Sequence, residues 1–145
     1  MAEPPHRRRA SLDLSELVES VARKKAALHL NVARDLPRIK ADRGQVRQAV
    51  MCLIAHASEP PGARRGVVQV STAIMWAEAG ELPPIEAGRI VPAGLYVYLE
   101  VSGAGTGQDL GAVLDIVRLH HGSVQVSSQP GAGTAVRMLF PALEE

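Results

Sequence analysis

The sequence predicts a two-layer α/β (α+β) sandwich, a mixed five-stranded sheet with three helices on one face. Three observations point there. Segments with apolar residues at helical spacing alternate with segments rich in β-branched residues, in the order αβαββαββ. No internal repeat or low-complexity tract interrupts that order, so one layer of helices on one sheet is the economical arrangement. At 145 residues, 46% of them hydrophobic, the chain is long enough to bury one core, and with 3% aromatic residues that core is built from Val, Leu, Ile and Ala.

The first helix is written in "SLDLSELVESVARKKAAL". Ser11 or Asp13 can cap it, Leu14, Leu17, Val18 and Val21 share a face, and Arg23, Lys24 and Lys25 suit its negative C-terminal end. Leu28, Leu30 and Val32 then alternate with His29, Asn31 and Ala33 as a half-buried strand. In "ADRGQVRQAVMCLIAHASEPPG", Asp42 caps a second helix with Val46, Ala49, Val50, Leu53, Ile54 and Ala57 on one face, and Pro60-Pro61-Gly62 end it.

Residues 66–76 and 95–102 are β-rich and predict strands. The eighteen residues 77–94 between them hold three prolines and three glycines, the composition of a long hairpin loop. A third helix over about 110–121 presents Leu110, Val113, Leu114 and Val117, and stops at Gly122 as a left-handed cap. The closing hairpin alternates Val124 and Val126, turns at Gln129-Pro130-Gly131 and returns through Val136, Met138 and Phe140. Residues 1–10 are assigned to a flexible tail and 11–145 to the domain.

Charge and composition narrow the function classes. A net charge of +1 gives no global attraction to nucleic acid; Arg7, Arg8 and Arg9 form the one basic run, read as a solvated tail rather than a binding patch. Cys52 is the single cysteine, which rules out an internal disulfide and a thiolate metal cage. No apolar run reaches the ~20 residues of a membrane span, and "MAEPPHRRRA" has no apolar segment after its charges, so a cytoplasmic location is expected.

Three stretches carry a family resemblance. "LPRIKADRGQVRQAVMCLIAHASE" resembles a helix with an asparagine box, D-x-x-x-L-x-Q-V-L-x-N-L-L-x-N-A-x-E. "YVYLEVSGAGTG" resembles the strand into a first glycine box, V-x-D-x-G-x-G. "LGAVLDIVRLHHGSVQVSSQPGAGTAVRMLFP" resembles the helix and hairpin in which H-G-G and S-x-P-G-x-G-T are usual. In order and spacing these match the ATP-binding domain of sensor histidine kinases, a histidine-kinase-like ATPase of the GHKL (HATPase_c) group shared with gyrase and MutL, over residues 12–142. The resemblance implies a Bergerat-like fold, ATP with Mg2+ as ligands, ATP-dependent protein-histidine phosphorylation, and two-component signalling as the setting.

At the site the chain departs from that pattern. The two asparagines, the second of which coordinates magnesium in the family, align with Cys52 and His56; a hard magnesium ion prefers oxygen ligands in octahedral array to a thiol or an imidazole. Gly103 stands where the family has the aspartate that accepts a hydrogen bond from the adenine amino group, a loss of about 1.5–3 kcal/mol. Gly105 and Gly107 survive at glycine positions, which suits either backbone approach to a ligand or simply a tight connection. Only Gln108 and Asp109 separate Gly107 from Leu110, where the family has a lid of some twenty or more residues. Asp109 either caps the shortened helix or stands in for the adenine-reading carboxylate.

The resemblance therefore implies a remnant nucleotide pocket of His56, Cys52, Gly103, Gly105, Gly107 and Asp109, with no catalytic residue, no metal site, and ATP/Mg2+ only if that pocket still binds. His56 either fills the vacated pocket or acts as a general base or transition-metal ligand. His121-Gly122 resembles the family's helix-ending H-G pair, with His120 beside it facing solvent. No histidine (His6, His29, His56, His120, His121) is followed by an acidic residue, so the phosphoacceptor of a complete kinase is missing. Trp76 and Met75 end a strand, expected in the core or else in an exposed patch.

These observations favour a noncatalytic protein-interaction module of bacterial phosphosignalling, a pseudokinase with protein partners and possible homodimerisation. The alternatives are an ATP-binding kinase module completed by a partner, and a remodelled pocket for another small ligand.

Overall fold

In the computed structural model, which describes residues 9–22, 28–58, 68–84, 88–103, 110–129 and 133–143, the elements follow the predicted order with one addition. They are β1 (Arg9–Leu12), α1 (Leu14–Ala22), β2 (Leu28–Asn31), β3 (Ile39–Asp42), α2 (Arg43–Ser58), β4 (Val68–Ala77), β5 (Gly94–Gly103), α3 (Gly111–Leu119), β6 (Ser123–Gln129) and β7 (Gly133–Pro141). The five-stranded sheet has the order β2-β4-β5-β7-β6. It is mixed because β2 runs parallel to β4 while the other neighbours are antiparallel. A parallel pair needs a long crossover, and α2 supplies it.

The added element is a small antiparallel ribbon of β1 and β3, in register Arg9 with Asp42 and Leu12 with Ile39. It places Arg9 and Ala10, assigned from sequence to the tail, inside the folded domain. Four-residue strands are too short for a periodic signal, and "IKAD" runs straight into the cap of α2. Arg7 and Arg8, like Arg23, Lys24, Lys25 and Pro60-Pro61-Gly62, lie outside the described residues.

The helix caps separate the alternatives left open by sequence. Asp13, not Ser11, caps α1: its Oδ1 accepts from the Glu16 amide at 3.3 Å. Asp42 caps α2 in the same way, accepting from the Gln45 amide at 3.1 Å. The apolar faces of α1 (Leu14, Leu17, Val18, Val21) and α2 (Val46, Ala49, Val50, Leu53, Ile54) are buried, packed on Val70, Val97, Leu99, Val101, Val136, Met138 and Phe140 of the sheet.

The phase of α3 differs from the predicted one. Val113, Ile116 and Val117 are buried while Leu114 is exposed, in a helix that runs only from Gly111 to Leu119. Its cap position is Leu110, without a side-chain cap, one residue past the predicted Asp109. In β6, Val124 is buried but Val126 is exposed, since β6 is the sheet edge and the helix layer ends short of it.

A second, smaller core forms on the other sheet face. Loop residues Leu82 and Val91 pack there on Ala77, Tyr96 and Leu139. The loop is tied down by Tyr96 Oη donating to the Pro92 carbonyl at 2.6 Å, Ser123 Oγ donating to the Pro83 carbonyl at 2.6 Å, and the Gly80 amide donating to the Val91 carbonyl at 3.0 Å. Farther along that face Arg137 lies 4.0 Å over the Tyr98 ring and pairs with Glu100 at 2.8 Å. Trp76 is not in either core. It is 59% exposed, its Nε1 donating to Glu78 Oε1 at 3.0 Å, because β4 extends past the helix layer there.

Candidate functional site

Of the residues aligned with the nucleotide pocket, Cys52 and His56 lie in the second half of α2 and Gly103 at the end of β5, which meets that helix. Cys52 and His56 stand one turn apart on α2, both half-buried, and Cys52 packs against the main core. His56 lines a small cavity with Leu53, Ala57, Val101, Leu110 and Thr134. That cavity measures ≈10 Å³, room for about one water.

Gly103 is the last residue of β5, and its backbone sits against α2. A Cβ built on it would lie 2.6 Å from the Ala57 carbonyl oxygen and 3.1 Å from the Ala57 Cβ, so a side chain there requires α2 and β5 to separate. The helix and strand approach each other at Gly103, the position that the family resemblance aligns with an adenine-reading carboxylate. Gly105, Gly107 and Asp109 lie outside the described residues. Among the described residues no group of three or more His, Cys, Asp or Glu is arranged to hold a metal ion.

Thr134 was not singled out from sequence, although it ends the quoted "PGAGT". It is buried, stands opposite Gly103 in the β5–β7 register, and its Oγ1 lies 3.4 Å from Ser128 Oγ. Register across strands was the missing information, and single-chain periodicity does not carry it.

The histidine pair at the end of α3 corrects a second reading. His120, expected in solvent, is buried with 4% of its surface exposed. Its Nε2 accepts from the Asp42 amide at 3.1 Å, which leaves the ring proton on Nδ1 to donate to the Ile116 carbonyl at 2.7 Å. The ring also meets Phe140 edge-on, with centroids 5.9 Å apart. His120 thus joins the cap of α2 to the end of α3, and it is the histidine of the H-G-G pattern. His121 occupies the first glycine position with φ +59°, and Gly122 the second. Gly122 does not supply the left-handed turn. Its lack of a side chain lets β7 approach, since a Cβ there would overlap the Leu139 carbonyl oxygen.

No family model matches the chain. Over 149 residues it is 32% identical to the alginate biosynthesis sensor protein KinB of Pseudomonas aeruginosa, a match covering 91% of the chain and 24% of KinB. The chain therefore spans about a quarter of that relative's length. Among solved structures it superposes on full-length ShkA in complex with AMPPNP with a TM-score of 0.67 at 19% identity, covering 94% of this chain and 32% of that one. The NMR structure of the histidine kinase domain of the E. coli osmosensor EnvZ gives a TM-score of 0.64 at 14% identity, over 99% of this chain and 93% of that one. Matching motifs, element order and this similarity agree, and the chain belongs to the histidine-kinase-like ATPase domains of the GHKL group.

Proposed function

We propose that this domain works by protein contact in two-component signalling, with a nucleotide pocket that no longer holds Mg-ATP. The observation that carries this reading is the closure at Gly103, where the helix–strand approach occupies the position of an adenine-reading aspartate and leaves a cavity of ≈10 Å³ beside His56. An ATP-sized ligand calls for a cleft of hundreds of cubic ångströms. The metal donors fare no better, because Cys52 and His56 present a thiol and an imidazole where a hard cation needs oxygens. The sequence adds a short connection, with two residues between Gly107 and Leu110.

The partners in this reading are proteins of a phosphorelay, whether a sensor kinase, a response regulator or a second copy of the chain. No helix among the described residues is long and apolar enough to cross a membrane, and a cytoplasmic setting is part of the proposal. The same small cavity disfavours a remodelled pocket holding another ligand beside His56. Isothermal titration with Mg-ATP and Mg-ADP tests the reading. The expected result is no binding tighter than about 100 μM, and saturable binding below that value overturns it.

A further inference from the structure

A larger cavity than the one beside His56 lies elsewhere. It opens between loop residues Arg89–Pro92 and the end of α3, measures ≈420 Å³, and is lined by Arg89, Ile90, Val91, Arg118 and His121 above the Gly122 backbone. Leu110, at the start of α3, belongs to the remnant pocket, whereas Arg118 and His121 stand at its end. At about 1.5 Å per residue the two sites are more than 10 Å apart along the helix.

Three features give this cavity the character of a binding site. Its volume falls in the range of small-ligand pockets. One side of it is anchored at Val91 and Pro92, since the Pro92 carbonyl accepts from Tyr96 Oη and the Val91 carbonyl from the Gly80 amide. Its side chains combine two guanidinium groups and an imidazole with an apolar lip, Ile90 being 72% exposed.

His121 adds an independent observation. Its φ of +59° is a conformation that glycine adopts freely and an imidazole does at a cost, and strained residues of this kind gather at binding sites. The strained residue here lines this cavity.

We propose that this cavity binds a small organic anion, with a carboxylate or phosphoryl group between Arg89, Arg118 and His121 and an apolar body against Ile90 and Val91. Guanidinium groups match both anions by paired hydrogen bonds. Asp115 is an acidic side chain paired with one of these groups, Arg118, at 3.3 Å in an exposed contact, weak enough for an incoming anion to displace. The negative end of α3 faces the same way but is blunted, because the Val117 carbonyl accepts from His120 and Gly122 and the Arg118 carbonyl from His121. This inference does not depend on whether the remnant pocket binds nucleotide.

Titration of the full 15N-labelled chain with phenyl phosphate, benzoate and the neutral benzyl alcohol, followed by amide shifts, tests it. Saturable shifts at residues 88–91 and 118–122 are expected for at least one anion at about millimolar concentration, with benzyl alcohol at least tenfold weaker. Tighter binding of phenyl phosphate assigns a phosphoryl ligand, and tighter binding of benzoate a carboxylate. Arg118→Gln and His121→Gly, the second of which suits its backbone, should each weaken the anion roughly fivefold or more. Absence of saturable shifts there, an equal response to benzyl alcohol, or unchanged affinity in both variants overturns the proposal.

Discussion

At the turn after α3, two adjacent residues show how backbone geometry and packing divide their demands. His121 takes the positive φ, and Gly122 takes the close contact with Leu139. Exchanging the roles gives opposite signs. His121→Gly relieves the left-handed strain, offset in part by the entropy of a more flexible unfolded chain, and should raise stability by about 0.5–1 kcal/mol. Gly122→Ala pushes a methyl into the Leu139 carbonyl and should cost about 2–3 kcal/mol. Urea midpoints of the two variants against the parent chain check both, and equal shifts in one direction would refute the division of roles. The sequence shows "HHG" without saying which histidine goes inside. That depends on where α3 lies on the sheet, and there His120 meets Asp42 and Phe140.

At the level of elements, the helix starts and apolar faces of α1 and α2 were legible because each depends on neighbours within two turns. Asp13 and Asp42 cap their own helices, and four or more apolar residues repeat at helical spacing after each. The phase of α3 was not, since Leu114 and Ile116 are both apolar and only the position of β7 and β6 beneath decides between them. His120 is the link between helices. His120→Ala would leave the Asp42 amide and the Ile116 carbonyl unpaired and open a void beside Phe140, an expected loss of about 2–4 kcal/mol. Hydrogen exchange should locate the damage. Protection should fall in the first turn of α2 and the last of α3 together, whereas loosening of α3 alone would show that the histidine does not couple them.

For the molecule as a whole, the loop between β4 and β5 gives the sheet a second covered face, and Tyr96 fastens it. Burial raises the Tyr96 phenol above its ordinary 10.0, so the folded state holds that proton more tightly than the unfolded chain. The stability this contributes is fully present below pH 10.0 and is lost as pH rises through the higher folded value. Tyr96→Phe should cost about 1 kcal/mol at neutral pH by leaving the Pro92 carbonyl without its donor. It should also reduce the alkaline loss, so denaturant midpoints of parent and variant should converge above pH 10. A constant gap between them across that range would contradict the assignment.

By itself the sequence determined the class, the order of the main helices and strands, the start of α2 and the family, because local spacing, capping side chains and motif order are properties of neighbours along the chain. It also aligned Cys52, His56 and Gly103 with the family's nucleotide box by motif order. Only the tertiary structure decided that Gly103 lets α2 close onto β5, that β1 pairs with β3, that Trp76 is exposed, and that Arg89, Arg118 and His121 share one cavity. Each of those depends on residues far apart in sequence meeting across strands, a loop and a helix end, and no local pattern records which surfaces will touch.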